Sequence, residues 1–138
     1  MKPNVEVAVA QLREGLPGKN VEVVEDAEGG AYVVVEGLEI GACFEPSVSW
    51  IGFRVTWSYP DAEVYPHYID PAVRYVGAGP TPNQYPDGAL PAALQRGNKM
   101  PGFEKDAIQV SRKSHHWNSA ADTALNKLLR VLDFLRSR

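Results

Sequence analysis

The side chains of this sequence best suited to chemistry lie in one short segment near its C-terminal end. Two hydroxyl groups, those of Ser111 and Ser114, are followed directly by a pair of imidazoles. The imidazoles belong to His115 and His116, and a histidine can activate a serine for acyl transfer through an oxyester. The same residues also fit a polar turn before a helix, with one histidine bonded to a backbone carbonyl. The sequence leaves both interpretations open, although the polar turn is the commoner arrangement.

The histidine and cysteine pattern does not predict a metal site. His67 is the only other histidine, and the adjacent side chains of His115 and His116 rarely point at one ion. The single cysteine, Cys43, excludes a thiolate cluster and an internal disulfide, and its apolar surroundings predict a buried packing residue. Motifs for phosphate loops, nucleophile elbows and metalloproteases are also missing from the sequence. We therefore expect no metal ion and no other cofactor.

Length and charge limit the classes of partner. The chain has 138 residues, the size of a single domain over 1–138 with one hydrophobic core. Its formal net charge is -3 with acidic and basic residues interspersed, so a nucleic-acid partner is not expected. No apolar run has the length of a membrane span, and the first residues do not form a secretory signal. These features predict a cytoplasmic protein without a membrane partner.

The first half of the chain predicts a helix followed by strands. Apolar residues recur at helical spacing over residues 4–15, and glycine and proline follow. Valine-rich runs at 20–26 and 31–36 flank turn residues and predict a hairpin. Residues 50–57 alternate as a third strand, and a short fourth strand is predicted at 73–76. The residues of the third strand predicted to face the core are Ile51, Phe53, Val55 and Trp57.

The second half predicts a long loop and a closing helix. Proline and glycine recur so densely that we expect a loop or insertion over 77–106. An apolar stripe over 119–136 predicts a helix, with Ser119 and Asp122 as its capping box. An N-terminal helix, a four-stranded antiparallel meander, a long Pro/Gly-rich loop and a C-terminal helix form an α+β fold with helices on one face of the sheet.

Two short motifs carry a family resemblance. The Tyr-Pro steps Tyr59-Pro60 and Tyr65-Pro66 directly follow the third predicted strand, and this placement resembles the Tyr-Pro-rich turn of the ubiquitin-conjugating (UBC-like) family. The run Trp117-Asn118-Ser119 stands where the family has a Trp-Ser/Thr-Pro-type step into its second major helix. Counting back the family's usual interval from that tryptophan places Gln109 where the catalytic cysteine is expected. The resemblance thus implies a UBC-like fold without its thiol.

The departures from that family pattern also carry information. The family's His-Pro-Asn tripeptide does not occur, and the nearest match is Thr81-Pro82-Asn83, far upstream. The run Gln109-Val110-Ser111-Arg112, with one residue fewer between its glutamine and serine, is similar to divergent bacterial UBC-like families, in which a Gln-x-x-Ser-Arg run precedes a tryptophan and the closing helix. A carboxamide cannot carry an acyl group as a thiolate does, so the resemblance implies a pseudoenzyme that has lost cysteine-based activity.

The aromatic segment after the third strand is the candidate surface for a partner. Rigid aromatic rings beside prolines bury area at low entropic cost, which suits recognition. The same rings could instead cover the end of the sheet, and for Tyr59 we favour that structural role. The candidate partner-binding residues are Tyr59, Pro60, Tyr65, Pro66, His67 and Tyr68.

Three functions follow from these patterns. The resemblance implies a catalytically inactive protein that binds a ubiquitin-like protein, or its activating or conjugating enzyme, in a bacterial conjugation pathway. One alternative is an active acyl transferase that forms an oxyester on Ser111 or uses His115 or His116. The other is an RWD-like adaptor that only mediates protein contacts.

Overall fold

The structure, a computed structural model, describes residues 1–77 and 88–138 and confirms an α+β fold. A helix near each end of the chain packs against the same face of an antiparallel sheet. Neither of these helices combines the length and the apolarity needed to cross a bilayer. The helices are α1 (Pro3–Gly15) and α2 (Ala124–Arg136). The strands are β1 (Val21–Glu25), β2 (Ala31–Glu39), β3 (Phe44–Glu45), β4 (Val48–Val55), β5 (His67–Ile69), β6 (Arg74–Tyr75), β7 (Leu94–Met100) and β8 (Lys105–Val110).

The main sheet is larger than the four-stranded meander predicted from the sequence. Within the described residues it has six strands in the order β1-β2-β4-β5-β8-β7, and every neighbouring pair is antiparallel. The predicted helix at 4–15, the hairpin and the third strand are all present. In place of the strand predicted at 73–76, the structure has only the two-residue strand β6, which pairs with β3 outside the main sheet. That prediction was wrong about the sheet to which the segment belongs.

The predicted loop over 77–106 contains a hairpin instead of a continuous loop. Strand β7 and the start of β8 lie within it, and residues 78–87 fall outside the described residues. Strand β7 exposes most of its side chains and buries only its first and last residues, Leu94 and Met100. An edge strand of this kind shows no apolar alternation, so its sequence resembles a loop. A register shift between Gln95 and Asn98 accommodates Gly97, whose φ is +81°.

The β7–β8 hairpin covers the outer face of the sheet. A small apolar cluster lies there, apart from the main core between the inner face and the helices. Met100 is fully buried in this cluster against Gly52 of β4, where a Cβ would lie 2.7 Å from the methionine sulfur. Lys105 extends over the ring of Trp50, with its ammonium 4.7 Å from the ring centroid. The members of the cluster are Val34, Trp50, Met100 and Ala107, with Tyr32, Tyr68 and Phe103 packed against them.

Trp57 does not face the core as the alternation predicted. Strand β4 ends at Val55, and Trp57 lies in the following turn with 54% of its surface exposed. The other three predicted inner residues, Ile51, Phe53 and Val55, are fully buried. The alternation therefore identified the core-facing residues of the strand but not the burial of its other face, where Trp50 and Gly52 are also buried.

The C-terminal helix begins five residues later than predicted. Its N-cap is Thr123, whose hydroxyl accepts a hydrogen bond from the backbone N–H of Asn126 at 3.0 Å. The predicted capping box of Ser119 and Asp122 does not form. The Asp122 carboxylate instead accepts the backbone N–H of Asn118 at 2.7 Å and stabilises a turn before the helix.

Candidate functional site

The segment singled out for its chemistry lines a cleft against the C-terminal helix. The cleft has a volume of about 520 Å³ and lies between residues 112–116 and the second half of α2. Ser114, His115 and His116 line it, whereas Ser111 does not. The structure therefore brings together three of the four candidate residues of this segment.

A buried lysine fixes this segment to the rest of the protein. Lys127 of α2 has only 2% of its surface exposed, and its Nζ lies 2.9 Å from Oε2 of Glu63. The same ammonium donates to the backbone oxygen of Arg112 and to Oγ of Ser114, each at 2.7 Å. Glu63 also accepts the backbone N–H of Ser114 at 2.5 Å. One ion pair thus holds α2, the segment before β5 and the segment after β8 in contact.

Burial and pairing act in opposite directions on the two members of this ion pair. Burial raises the pKa of Glu63, but hydrogen bonds from Lys127 and Ser114 outweigh it and bring the pKa below its usual value. Burial lowers the pKa of Lys127, and the hydrogen bond to Glu63 opposes that shift only in part. Ionisation of Glu63 is thus favoured, and the ion pair couples the charge of each partner to that of the other.

Ser114 contacts a lysine, as serine activation would require, but the lysine is the hydrogen-bond donor in this contact. An ammonium has three N–H donors, and those of Lys127 are used by Glu63, Arg112 and Ser114. Lys127 in this state donates to the serine oxygen and cannot withdraw its proton. The contact orients Ser114 and fixes the segment, which is a structural role.

The other proposed nucleophile and bases are not assembled for catalysis. Oγ of Ser111 accepts a hydrogen bond from Nε2 of Gln109 at 3.1 Å. His115 and His116 are exposed, and their rings meet edge to face with centroids 4.4 Å apart. Among the described residues, neither histidine is hydrogen-bonded to a serine or to a carboxylate. A serine–histidine pair of the kind that forms an oxyester is therefore not preformed.

Gln109 lies within a strand and not at the mouth of a cleft. It faces Tyr68 of β5 on one side and Gln95 of β7 on the other, and its side chain is half-buried. The thiol of Cys43 lies elsewhere, 4% exposed under α2, with Sγ 3.4 Å from the backbone oxygen of Leu135. Burial raises the pKa of this thiol, which favours its unreactive protonated form. The prediction that Cys43 is a packing residue is confirmed.

The candidate partner-binding residues divide into buried and exposed members. The hydroxyl of Tyr59, which is 6% exposed, accepts the backbone N–H of Ala124 at 3.1 Å. The carbonyl of Pro60 accepts the indole N–H of Trp117 at 2.7 Å. These contacts connect the aromatic segment to the start of α2, so both residues act inside the fold. Of the predicted set, Tyr65 is exposed, and Pro66 and Tyr68 are half-buried.

His67, the remaining candidate for partner binding, is fully buried and presents no surface. Its ring packs against Phe53 with centroids 5.2 Å apart, and neither ring nitrogen has a hydrogen-bond partner among the described residues. Burial, with a smaller effect from the charge of Lys127, lowers its pKa to about 3, and Glu63 opposes the shift only weakly. The ring is therefore neutral at physiological pH.

Phe134 and Arg138 line the opposite wall of the cleft, and Arg112 reaches the Phe134 ring from the first wall, an arrangement that the sequence did not predict. The guanidinium carbon of Arg112 lies 4.9 Å from the ring centroid of Phe134, and that of Arg138 lies 4.2 Å from it. Nearby, Arg130 forms an ion pair with Asp122, and hydrogen bonding from Arg130 lowers the pKa of that carboxyl group. The described residues bring no three histidine, cysteine or acidic side chains together as metal ligands.

One sequence signal could have revealed the lysine at the centre of the site. The buried positions of α2 recur at helical spacing, and Lys127 occupies one of them between Ala124 and Val131. A lysine on an apolar stripe requires a buried partner. Its partner, Glu63, lies 64 residues away in the chain, so the sequence could indicate the need but not the residue.

Comparison with family models, with curated proteins and with solved structures gives no match for this chain. The resemblance to the ubiquitin-conjugating family therefore stays a hypothesis that depends on the short motifs alone.

Proposed function

We propose that this protein is a non-catalytic, UBC-like binding domain that holds a ubiquitin-like protein or an active conjugation enzyme in a bacterial pathway. The observation that carries the proposal is the state of the candidate nucleophiles. Gln109 is a strand residue bonded to Ser111, and Cys43 is buried and protonated. An α+β domain whose candidate nucleophiles in the described residues are held in this way is better suited to binding than to acyl transfer.

The exposed aromatic rings of the segment after β4 are the proposed contact surface. Trp57 is 54% exposed and Tyr65 is 38% exposed, so both rings are accessible to a partner. Tyr65 lies close enough to Tyr68 to help raise the pKa of that phenol, after the larger effect of burial. Exposed tryptophan and tyrosine are the residues that most often dominate binding energy at protein interfaces.

Binding of the full chain to the ubiquitin-like protein and to the conjugating enzyme encoded with it tests this proposal. We expect Trp57→Ala and Tyr65→Ala each to weaken the complex about tenfold or more, as is typical of hot-spot aromatics. Val24→Ala is the matched control, because Val24 is an exposed apolar residue on the edge strand β1. Equal binding by all three variants, or no complex with either partner, would refute the proposal.

A second candidate function is acyl transfer through Ser114, which the 2.7 Å contact with Lys127 favours over the predicted Ser111. For this chemistry, Lys127 would have to give up its proton and its pairing with Glu63. Incubation with an activating enzyme, the ubiquitin-like protein and ATP would then give an adduct that hydroxide cleaves and thiols do not. Ser114→Ala would abolish that adduct, whereas Ser111→Ala would leave it.

A further inference from the structure

The cleft beside α2 concentrates positive charge in a chain whose net charge is negative. Five of its described lining residues are lysine or arginine and two are histidine, whereas Asp133 is the one acidic residue among them. The whole chain has a formal charge of -3. A basic concentration against the overall balance produces a local positive potential that attracts anions.

Two of the five cations are neutralised within the fold. Lys127 pairs with Glu63, and Arg130 pairs with Asp122. The three cations of the cleft that have no ion-pair partner among the described residues are Arg112, Lys113 and Arg138. Even with Asp133 set against them, these three leave the cleft with a net positive charge.

Two of these three cations contact the same aromatic ring of the cleft. The guanidinium groups of Arg112 and Arg138 both stack on the ring of Phe134, within 4.9 Å of its centroid. Arg138 is fixed further, because its Nε donates to the backbone oxygen of Phe134 and its Nη2 to Oγ of Ser137, each at 3.0 Å. Both side chains line the cleft, so an anion bound there is attracted by both charges. The ring contacts, and for Arg138 the hydrogen bonds, limit the side-chain freedom that binding would remove.

We propose that this cleft binds a small ligand carrying two linked phosphoryl groups, through Arg112, Lys113 and Arg138. Guanidinium forks match phosphate oxygens in pairs, and lysine adds a further point charge. A diphosphate has enough negative charge to pair with three cations, whereas a single carboxylate does not. The volume of about 520 Å³ lies within the range of small-molecule sites. This ligand site goes beyond the protein-binding function proposed above and does not depend on it.

Calorimetric titration of the full chain with inorganic pyrophosphate tests the ligand class. We expect pyrophosphate to bind at least about tenfold more tightly than orthophosphate, because it contacts more of the cations. Its affinity should fall as the salt concentration is raised. Adenosine diphosphate, titrated in parallel, identifies the source of the phosphoryl groups. If adenosine diphosphate binds more tightly than pyrophosphate, the ligand is a nucleotide. If the two bind equally, the site recognises the diphosphate group alone. A short polyglutamate peptide that binds more tightly than either phosphate ligand would overturn the proposal in favour of a protein segment.

Single charge removals test the site itself. Arg112→Gln and Arg138→Gln should each weaken pyrophosphate binding about tenfold, as the loss of a charged hydrogen bond implies. Lys99→Gln is the matched control, because Lys99 is an exposed cation on β7 whose partner, Asp106, lies on β8. Both arginine side chains are exposed, and melting curves confirm that the variants fold. Failure of the wild-type chain to bind pyrophosphate, or equal binding by all three variants, would overturn the proposal.

Discussion

Replacing His67 by leucine should stabilise the protein, although His67 is fully buried and packs against Phe53. Neither ring nitrogen is hydrogen-bonded to another described residue, and leaving a buried polar group unpaired costs about 1–3 kcal/mol. Leucine has nearly the volume of histidine and no polar atom, so part of that cost should be recovered. Allowing for the lost ring contact, we expect a gain of about 1 kcal/mol in the free energy of unfolding at pH 7.5.

The stability gained by His67→Leu should increase as the pH falls. The pKa of His67 is about 3 in the folded protein, whereas an ordinary histidine titrates near 6.5. Between these two values the unfolded chain binds a proton that the folded chain does not, so stability falls as the pH falls below 6.5. The loss is about 1.4 kcal/mol per pH unit, or about 3 kcal/mol by pH 4.5. His67→Leu removes this contribution and should therefore unfold less readily in acid than the wild-type chain.

Urea unfolding of both proteins between pH 4.5 and 7.5 measures this difference directly. His115→Gln is the control, because His115 is exposed and its replacement should leave the unfolding free energy nearly unchanged across the range. The reasoning is refuted if His67→Leu is destabilised at pH 7.5, or if its unfolding free energy has the same pH dependence as that of the wild type.

Three further substitutions test other contacts. Glu63→Gln leaves the buried charge of Lys127 uncompensated and should cost about 3–5 kcal/mol in urea unfolding, whereas the double variant with Lys127→Met should recover most of that loss. Gly52→Ala places a Cβ 2.7 Å from the sulfur of Met100 and should lower the unfolding free energy by about 1–3 kcal/mol. Met100→Ala should destabilise the Gly52→Ala variant less than it destabilises the wild-type chain, because it removes the clash. Asp26→Ala removes a buried carboxylate. Burial raises the pKa of Asp26, but its hydrogen bonds outweigh that effect and hold the pKa below its usual value. The substitution should lower the unfolding free energy by about 2 kcal/mol at pH 7, and by progressively less as acid protonates Asp26 in the wild type. A difference that stays constant down to pH 2 would contradict this.

The elements that could be predicted from the sequence are those with a continuous apolar pattern. Helix α1 buries residues at helical spacing, and β1, β2 and β4 have valine-rich or alternating apolar runs in the sequence, although β4 buries both of its faces. Strand β5 has only three residues, too few to establish a period, and β7 is an edge strand with mostly exposed side chains. Their pairing depends on contacts with distant residues, which local patterns do not encode.

The candidate site could be predicted in position but not in chemistry. Residues 112–116 of the polar segment do line a cleft, and the segment was identified by residue type alone. The function of Ser114 depends on Lys127 and Glu63, which approach it from two other parts of the chain. The late start of α2 has a similar cause, since the Asp122 carboxylate binds the Asn118 N–H and leaves Thr123 as the cap. Competing hydrogen-bond partners of this kind are decided by the folded structure.

Intact-mass measurement of the chain after incubation with an activating enzyme, its ubiquitin-like protein and ATP tests the proposed non-catalytic function most directly. The predicted result is an unchanged mass together with co-elution of the chain in a complex with the ubiquitin-like protein or the conjugating enzyme. A covalent adduct of one ubiquitin-like protein that Ser114→Ala abolishes would contradict it, because the serine now bound to Lys127 would then be a working nucleophile.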